Sequence, residues 1–322
     1  MGTKLGAISS IIAQKAPTAR PEEFIRYGYT EKHVPIYLHR PTGKRYVANG
    51  ALPGRKIPPE HVGMALMMFY NGQSITKISR TLEPVFDTSK PSKASVYEWV
   101  TDYTKLAKDA VAKQRPHTGD RWVGDELVVR VGGQKVWVWT VMDIKTRYIL
   151  ASHISRTRTI SDVVSLFREA RARAGKPPKS ILTDKMTAYP DGIERVFGSE
   201  VKHVQSQGMT SATNNNLAER LMGTIRERTK IMRGMKSLRT AQMVMGGWDI
   251  HYNYFRPHMA LKDKTPAEAG ELERPFTTWE DVARRDVRPF SQERLREGHA
   301  LKSGALRARH VFRTRRKPGS LA

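Results

Sequence analysis

Three acidic residues stand where a folded chain could gather them. Asp125 lies in Trp122-Val123-Gly124-Asp125-Glu126-Leu127, at the head of a strand-rich run. Asp184 closes the apolar stretch Ile181-Leu182-Thr183. Glu219 falls in the first turn of a basic helix that begins after Asn214-Asn215-Asn216. Two carboxylates on strands and one on a helix are hard oxygen donors of the kind Mg²⁺ prefers. Two such ions held together would assist transfer at phosphorus. Other acids compete for these roles. Glu126 is next to Asp125, Asp143 ends the following strand, and Asp120 and Asp191 lie close in sequence.

Strands and helices must position these residues. Arg121 to Val131 is one strand, Gly132-Gly133 a hairpin turn, and Lys135 to Asp143 the next strand. Lys145-Thr146 turns the chain into a third, Tyr148 to Ile154. A helix capped at Thr159 or Ser161 buries Val163, Val164, Leu166 and Phe167, and Pro177-Pro178 ends it. Ser180 to Thr183 is a short strand, and the crossover helix before it implies parallel pairing. A short helix from Tyr189 to Phe197, a strand near Val201–Val204 and a polar loop, Gln207 to Asn216, come next. The helix from Asn216 to Met232 carries Glu219 with Arg220, Arg226, Arg228 and Lys230, and Arg233 lies just beyond. Glu219, Arg226 and Lys230 share one face of it. One carboxylate for metal and several cations for phosphate suit a phosphodiester substrate; a merely solvated basic helix is the plainer alternative. Thr240 to Tyr254 forms a last helix with Trp248 and Tyr252 inward.

Upstream, residues 58–112 form three helices with a tight Asn71-Gly72 turn, capped at Ser74 and Ser92. Helix, turn, helix and a further helix is a helix-turn-helix arrangement. Its last helix presents Lys90, Lys93, Ser95 and Tyr97 near the start, where a recognition helix meets base edges. A plain packing bundle has the same pattern. Residues 1–57 are punctuated by Pro and Gly, with short strands expected at Val34–His39 and Arg45–Ala48. They form an arm or a small metal-free module. Residues 271–322 are a basic extension: from Lys302 to Ala322 there are seven Lys and Arg, Arg313, Arg315 and Arg316 among them, and no acid. On DNA such an arm adds a salt-sensitive, sequence-blind attraction.

The 322 residues carry 56 basic and 31 acidic side chains, a net charge of +25. That balance points to a polyanionic partner, most simply nucleic acid. With no Cys, disulfides and cysteine-ligated zinc are excluded. No apolar run approaches the roughly 18 residues of a membrane span, and the N-terminus lacks a signal-peptide core. The protein is expected in the cytoplasm with the DNA, without a membrane partner.

The set Asp125, Asp184 and Glu219 resembles the acidic triad of DDE transposases and retroviral-type integrases. The 34 residues between Asp184 and Glu219 match many small insertion-sequence transposases. Tyr252-Asn253-Tyr254-Phe255-Arg256-Pro257-His258, then Thr265-Pro266-Ala267-Glu268, resembles the end of the same core. The likeness covers roughly residues 60–270 and is nearest to short transposases that form cointegrates. It implies an α/β fold: a ribonuclease-H-like core over 113–270, a mixed five-stranded sheet with flanking helices, preceded by the all-α helix-turn-helix domain. It also implies two Mg²⁺ per site, with Mn²⁺ as a substitute. Asp125 would bridge them, with Asp184 on one and Glu219 on the other. The implied activity is 3′-end cleavage by water, then attack of the freed 3′ hydroxyl on target DNA. The implied partners are the terminal inverted repeats of an element, target DNA, and further copies of the chain in a dimer or larger assembly. Lys185, Arg256 and His258 are weaker candidates near the site. A regulatory relic of a transposase, or a ribonuclease-H-type nuclease, would share much of the pattern.

Overall fold

The computed structural model describes residues 7–285 apart from 10, 13–15, 17, 31–32, 49–56, 86–90, 207–215, 231 and 233–234. The expectations for Lys90, Arg233, Arg313, Arg315, Arg316, the loop before the Glu219 helix and the basic tail lie outside the described residues.

The first element is a three-stranded antiparallel sheet, β1 (Phe24–Tyr29), β2 (Pro35–His39) and β3 (Lys44–Val47). Phe24 and Tyr37 are buried with Ile8 and Ile11, so this module has a core of its own. The two later strands fall where the sequence places them. β1 escapes sequence reading because a bulge between Arg26 and Gly28 breaks its alternation.

Three helices come next: α1 (Pro59–Tyr70), α2 (Ile75–Val85) and α3 (Lys93–Val111). Ser92 caps α3, as its place in the sequence implies, by accepting from the Ser95 N–H at 3.0 Å. The trio does not stand apart from the downstream core. α3 packs on α7 (Leu238–Ile250), and α1 on α9 (Trp279–Ala283). The Tyr70 ring stacks on His251 and Trp279, with centroids 5.9 and 5.0 Å away, and its hydroxyl meets the Thr104 hydroxyl. Gly247 is required there: any Cβ would stand 1.9 Å from the Tyr70 oxygen.

The central sheet has the order β6-β5-β4-β7-β8. β4 (Arg121–Val131), β5 (Gln134–Asp143) and β6 (Ile149–Ser155) form an antiparallel meander. Gly132 and Gly133, at φ 58° and 82°, make the left-handed turn between the first two. β7 (Ser180–Thr183) and β8 (Lys202–Gln205) add parallel to β4 on its other edge. This mixed five-stranded sheet has the strand order and senses expected of a ribonuclease-H-like core. α4 (Ile160–Ala174) and α5 (Ala188–Phe197) cover one face, where Phe197 meets Trp122 and Tyr189 meets Trp139 edge-on, with Phe167 edge-on to both Tyr189 and Phe197. Asp162 supplies the cap of α4 by accepting from the Thr159 N–H and hydroxyl. Gly175, at φ 72°, ends that helix. α6 (Asn216–Lys230) packs on β4, and α7 on β6. α7 runs on as a π-helical turn, His251–Phe255, whose Asn253 amide both accepts from and donates to the backbone of Ile149. A short α8 (Pro266–Ala269), capped by Thr265, lies between that turn and α9.

The sequence grouped Arg228 with the phosphate-facing cations of α6. In the structure it is 2% exposed. Leu221, Ile225 and Arg228 recur at steps of four and three, so Arg228 falls on the apolar face. Its guanidinium lies 3.8 Å from the Phe69 ring centroid and none of its three nitrogens finds a hydrogen-bond acceptor. Burial pushes its pKa down to about 10. A cation–π contact partly offsets the desolvation, yet an unpaired buried cation is a net liability. Arg228→Met should therefore keep or raise the melting temperature. Arg228→Ala, which also opens a cavity, should lose on the order of 2–4 kcal/mol. Thermal and urea unfolding of both variants beside the wild type checks this, and a large loss on Arg228→Met would disprove it.

Candidate active site

β4 and β7 pair in parallel, with Arg121 beside Ser180, Trp122 beside Ile181 and Val123 beside Leu182. Two residues beyond the last pair stand Asp125 and Asp184. The register thus delivers two carboxylates side by side where β7 ends and β4 continues. Gly124 faces Phe167 of α4 at 3.5 Å, so Asp125, the next residue along the pleat, faces the α6 side. Asp125 Oδ1 accepts from the Glu126 N–H at 2.9 Å, and Asp184 Oδ1 from the Met186 N–H at 3.0 Å. Each keeps a second oxygen free of hydrogen-bond partners among the described residues.

Glu126 closes the group: one carboxylate oxygen from each of Asp125, Glu126 and Asp184 lies within 4.8 Å of the others. Its own oxygens are already engaged. Oε1 accepts from Arg158 Nε at 2.9 Å and pairs with the Arg158 Nη2, and Oε2 accepts from the Tyr189 hydroxyl at 2.8 Å. Glu219 lies in the first turn of α6, is exposed, and is outside that 4.8 Å group. Its charge is nevertheless felt at Asp125. Burial pushes the Asp125 carboxyl up to about 7, the Glu126 N–H opposes this, and Glu126, Asp184 and Glu219 add like-charge repulsion. The donors are all oxygens, and Asp125 and Asp184 have no cationic partner among the described residues, so the residues present fit hard divalent cations.

The competing acids are occupied elsewhere. Asp143 is fully buried and accepts from the N–H groups of Gly119 and Thr146 and from the Thr146 hydroxyl, which holds the turn after β5. Asp120 pairs with Lys179 at 2.6 Å. Asp191 sits in the first turn of α5.

Of the expected cations, Lys185 is exposed beside Asp184, and Arg220, Arg226 and Lys230 are exposed on α6. On α3, Lys93 and Tyr97 are exposed and Ser95 half-buried, with Ser95 tied into the Ser92 cap. His258 packs edge-on against Tyr252 at 4.6 Å, and burial pushes it down to about 4, so it is a neutral packing group. Arg158 and Tyr189 escaped sequence reading. The one signal for Arg158 is its place just ahead of the Thr159 cap.

A ribonuclease-H-like sheet with carboxylates gathered at the ends of two parallel neighbours defines a core of the polynucleotidyl-transferase type. Residues 119–258 match a family described as a DDE domain. An uncharacterised protein of Methanocaldococcus jannaschii is 26% identical over 167 residues, 52% of this chain and 71% of its own length. An uncharacterised protein of insertion element IS136 from Agrobacterium fabrum is 27% identical over 176 residues, 49% of this chain and 90% of its own. Through this segment the chain is similar to proteins with a DDE domain, and to an insertion-element protein. Among solved structures, the HTLV-2 integrase catalytic core domain in complex with magnesium aligns with a TM-score of 0.37 and 16% identity, covering 48% of this chain and 99% of that one. The simian T-cell lymphotropic virus intasome aligns with a TM-score of 0.39 and 13% identity, covering 67% and 77%.

The shift at Asp125 has a stability consequence. Between about pH 4 and 7 the folded, metal-free chain keeps a proton at Asp125 that the unfolded chain has released. Its stability therefore falls as pH rises across that window. Asp125→Asn should flatten the fall, being more stable than wild type by on the order of 2 kcal/mol at pH 8 and nearly equal at pH 4. Added Mg²⁺ or Mn²⁺ should raise the wild-type melting temperature at pH 8 and leave the Asn variant unmoved. Parallel melting curves with chelator and with cation test both; a wild-type curve flat in pH and blind to cation sinks the assignment.

Proposed function

We propose that the chain is a DNA transposase that cleaves the 3′ ends of an insertion sequence and transfers them to target DNA, with Asp125, Asp184 and Glu219 holding two Mg²⁺. The observation that carries this reading is the convergence of Asp125 and Asp184 set by the β4–β7 register, inside a segment that matches the DDE domain. Cations held there would supply Lewis acidity for two displacements at phosphorus: water attacks at the element's end and expels its 3′ oxygen, and the freed 3′ hydroxyl then attacks a target phosphorus and expels the target's 3′ oxygen. The charges of Asp184 and Glu219 are both felt at Asp125, which supports these three as the residues that would hold the cations. Glu126, held by Arg158 and Tyr189, braces the strand and adds negative charge rather than a ligand. Glu219 rides on a helix, so a modest shift of α6 brings it into the group.

The trio α1–α3 serves DNA reading through Lys90, Lys93, Ser95 and Tyr97, as a helix-turn-helix domain over 58–112. Lys185, Arg220, Arg226, Lys230 and Arg233 meet phosphates near the carboxylates, and the tail with Arg313, Arg315 and Arg316 adds a sequence-blind term. Two element ends must be held together, so the working form is a dimer or larger, acting in the cytoplasm on the nucleoid. Residues 1–57 and 271–322 flank the two domains as a small module and a basic extension.

The test is an Mg²⁺-dependent assay on DNA carrying the element's own ends. Wild type should nick at the 3′ ends and join them to a target. Asp184→Asn and Glu219→Gln should bind the ends with wild-type affinity and lose cleavage by at least about a hundredfold, a scale set by loss of a metal ligand. Glu126→Gln should retain cleavage within about tenfold, as expected of a group that braces rather than ligates. Binding without cutting by a verified wild-type assembly would make the chain a DNA-binding relic of its family.

A further inference from the structure

α4 begins beside the carboxylates, where Arg158 holds Glu126, and runs away from them for 15 residues, or about 22 Å. α5 starts after Asp184 and runs the same way. Both helices therefore end at the pole of the core remote from the carboxylates. There Arg168 and Arg171 of α4, Arg195 of α5 and Arg115 of the segment after α3 line one open hollow of about 550 Å³. Among the described residues no carboxylate lines it. Arg171 is partly committed, donating to the Val196 carbonyl at 2.9 Å and lying over the Phe197 ring. Arg115 crosses Gly175, close enough that a Cβ there would touch it at 3.4 Å. Arg115, Arg168 and Arg195 pair with no acid among the described residues, and all three are exposed.

Helix C-termini favour cations, and that accounts for an arginine on each helix. It does not account for four guanidinium groups from three segments converging on one concavity, where they repel one another. Such a set is well placed to hold an anion between its members. The planar fork of arginine matches phosphate oxygens two at a time. We propose that this hollow clamps backbone phosphates of duplex DNA, at a site separate from the reacting centre. The proposal rests on the transposase reading and adds a second place of contact. At about 3.4 Å per base pair, 22 Å is on the order of six base pairs, so the clamp contributes affinity and placement, and none of the chemistry.

The test uses the full chain in chelator, with a random-sequence duplex of about 30 base pairs, wild type beside Arg168→Gln/Arg195→Gln. Circular dichroism and melting should match, since both side chains are exposed. The plot of log affinity against log salt should become shallower by about 2, and affinity at moderate salt should fall about tenfold or more. Arg168→Lys/Arg195→Lys should restore most of the slope. With inorganic phosphate as the probe, wild type should show at most millimolar stabilisation. A folded Gln variant with unchanged slope overturns the clamp and leaves the transposase reading intact. Loss of tight phosphate binding with an unchanged slope makes the hollow a small-anion site instead, which also overturns it. A wild-type chain that ignores duplex altogether overturns both readings together.

Discussion

Everything at the active end depends on one register. β4 and β7 are parallel and aligned so that Asp125 and Asp184 stand level two residues past their last backbone pair. A slip of a single residue would turn one carboxylate to the opposite face. Several features hold the register. The Ser180 and Lys179 N–H groups bond the Asp120 carbonyl just ahead of β4. Phe167 packs over the strand at Gly124, where a Cβ would stand 3.5 Å from its ring. Asp143, buried and triply bonded, locks the turn that carries β5 into β6. The chain thus uses one acid as scaffold, while two others each keep an oxygen free among the described residues.

The unpartnered pair is a local defect that the rest of the fold tolerates. A carboxyl held at about 7 by burial and repulsion weakens the metal-free protein at neutral pH, and a cation would reverse the effect. Arg158 and Tyr189 confine Glu126 so that its charge presses on Asp125 from a fixed direction. Arg228 is a second tolerated defect, and it has a different use. Lying on Phe69 of α1, it joins the helical trio to the helix that bears Glu219. With Tyr70 stacked between His251 and Trp279, it ties the upstream helices to the core. The upstream helices and the helix that bears Glu219 therefore share packed residues and do not hang on a loose tether.

Most of the core was legible in the sequence because its signals are local. Alternation marks β5, the Gly132-Gly133 pair marks the hairpin, and Ser92 and Gly175 mark helix ends. Asp125 and Asp184 were candidates by their places at strands, and the resemblance to DDE transposases, with no local signal beside it, preferred them to Glu126, Asp120, Asp143 and Asp191. What was not legible depends on direction. Arg228 looks like its neighbours Arg226 and Lys230 until the helix is wound and it falls with Leu221 and Ile225. Glu126 looks like a spare ligand until Arg158 and Tyr189, 32 and 63 residues away, are seen on its oxygens. No spacing rule reaches that far. β1 was missed for the opposite reason, since its bulge removes the period that would have shown it.

The charge balance explains why these acids are few and clustered. In a chain of net +25 that meets a polyanion, each exposed carboxylate weakens the encounter. Acids with a structural use are drawn inward or paired: Asp143 into a turn, Asp120 onto Lys179, Asp162 onto the α4 cap. Asp125 and Asp184 differ from these: they stand close together, and no cation pairs with either among the described residues. On the transposase reading proposed above, the basic surroundings would steer DNA toward this pair, and its own repulsion would keep phosphate out unless cations intervene. The same balance leaves arginines surplus to any internal partner, and they collect at the helix ends farthest from the acids. Attraction over most of the surface and repulsion at one point are what an enzyme needs to bind a phosphodiester chain firmly while reserving contact at the reacting phosphate for the metal-loaded state.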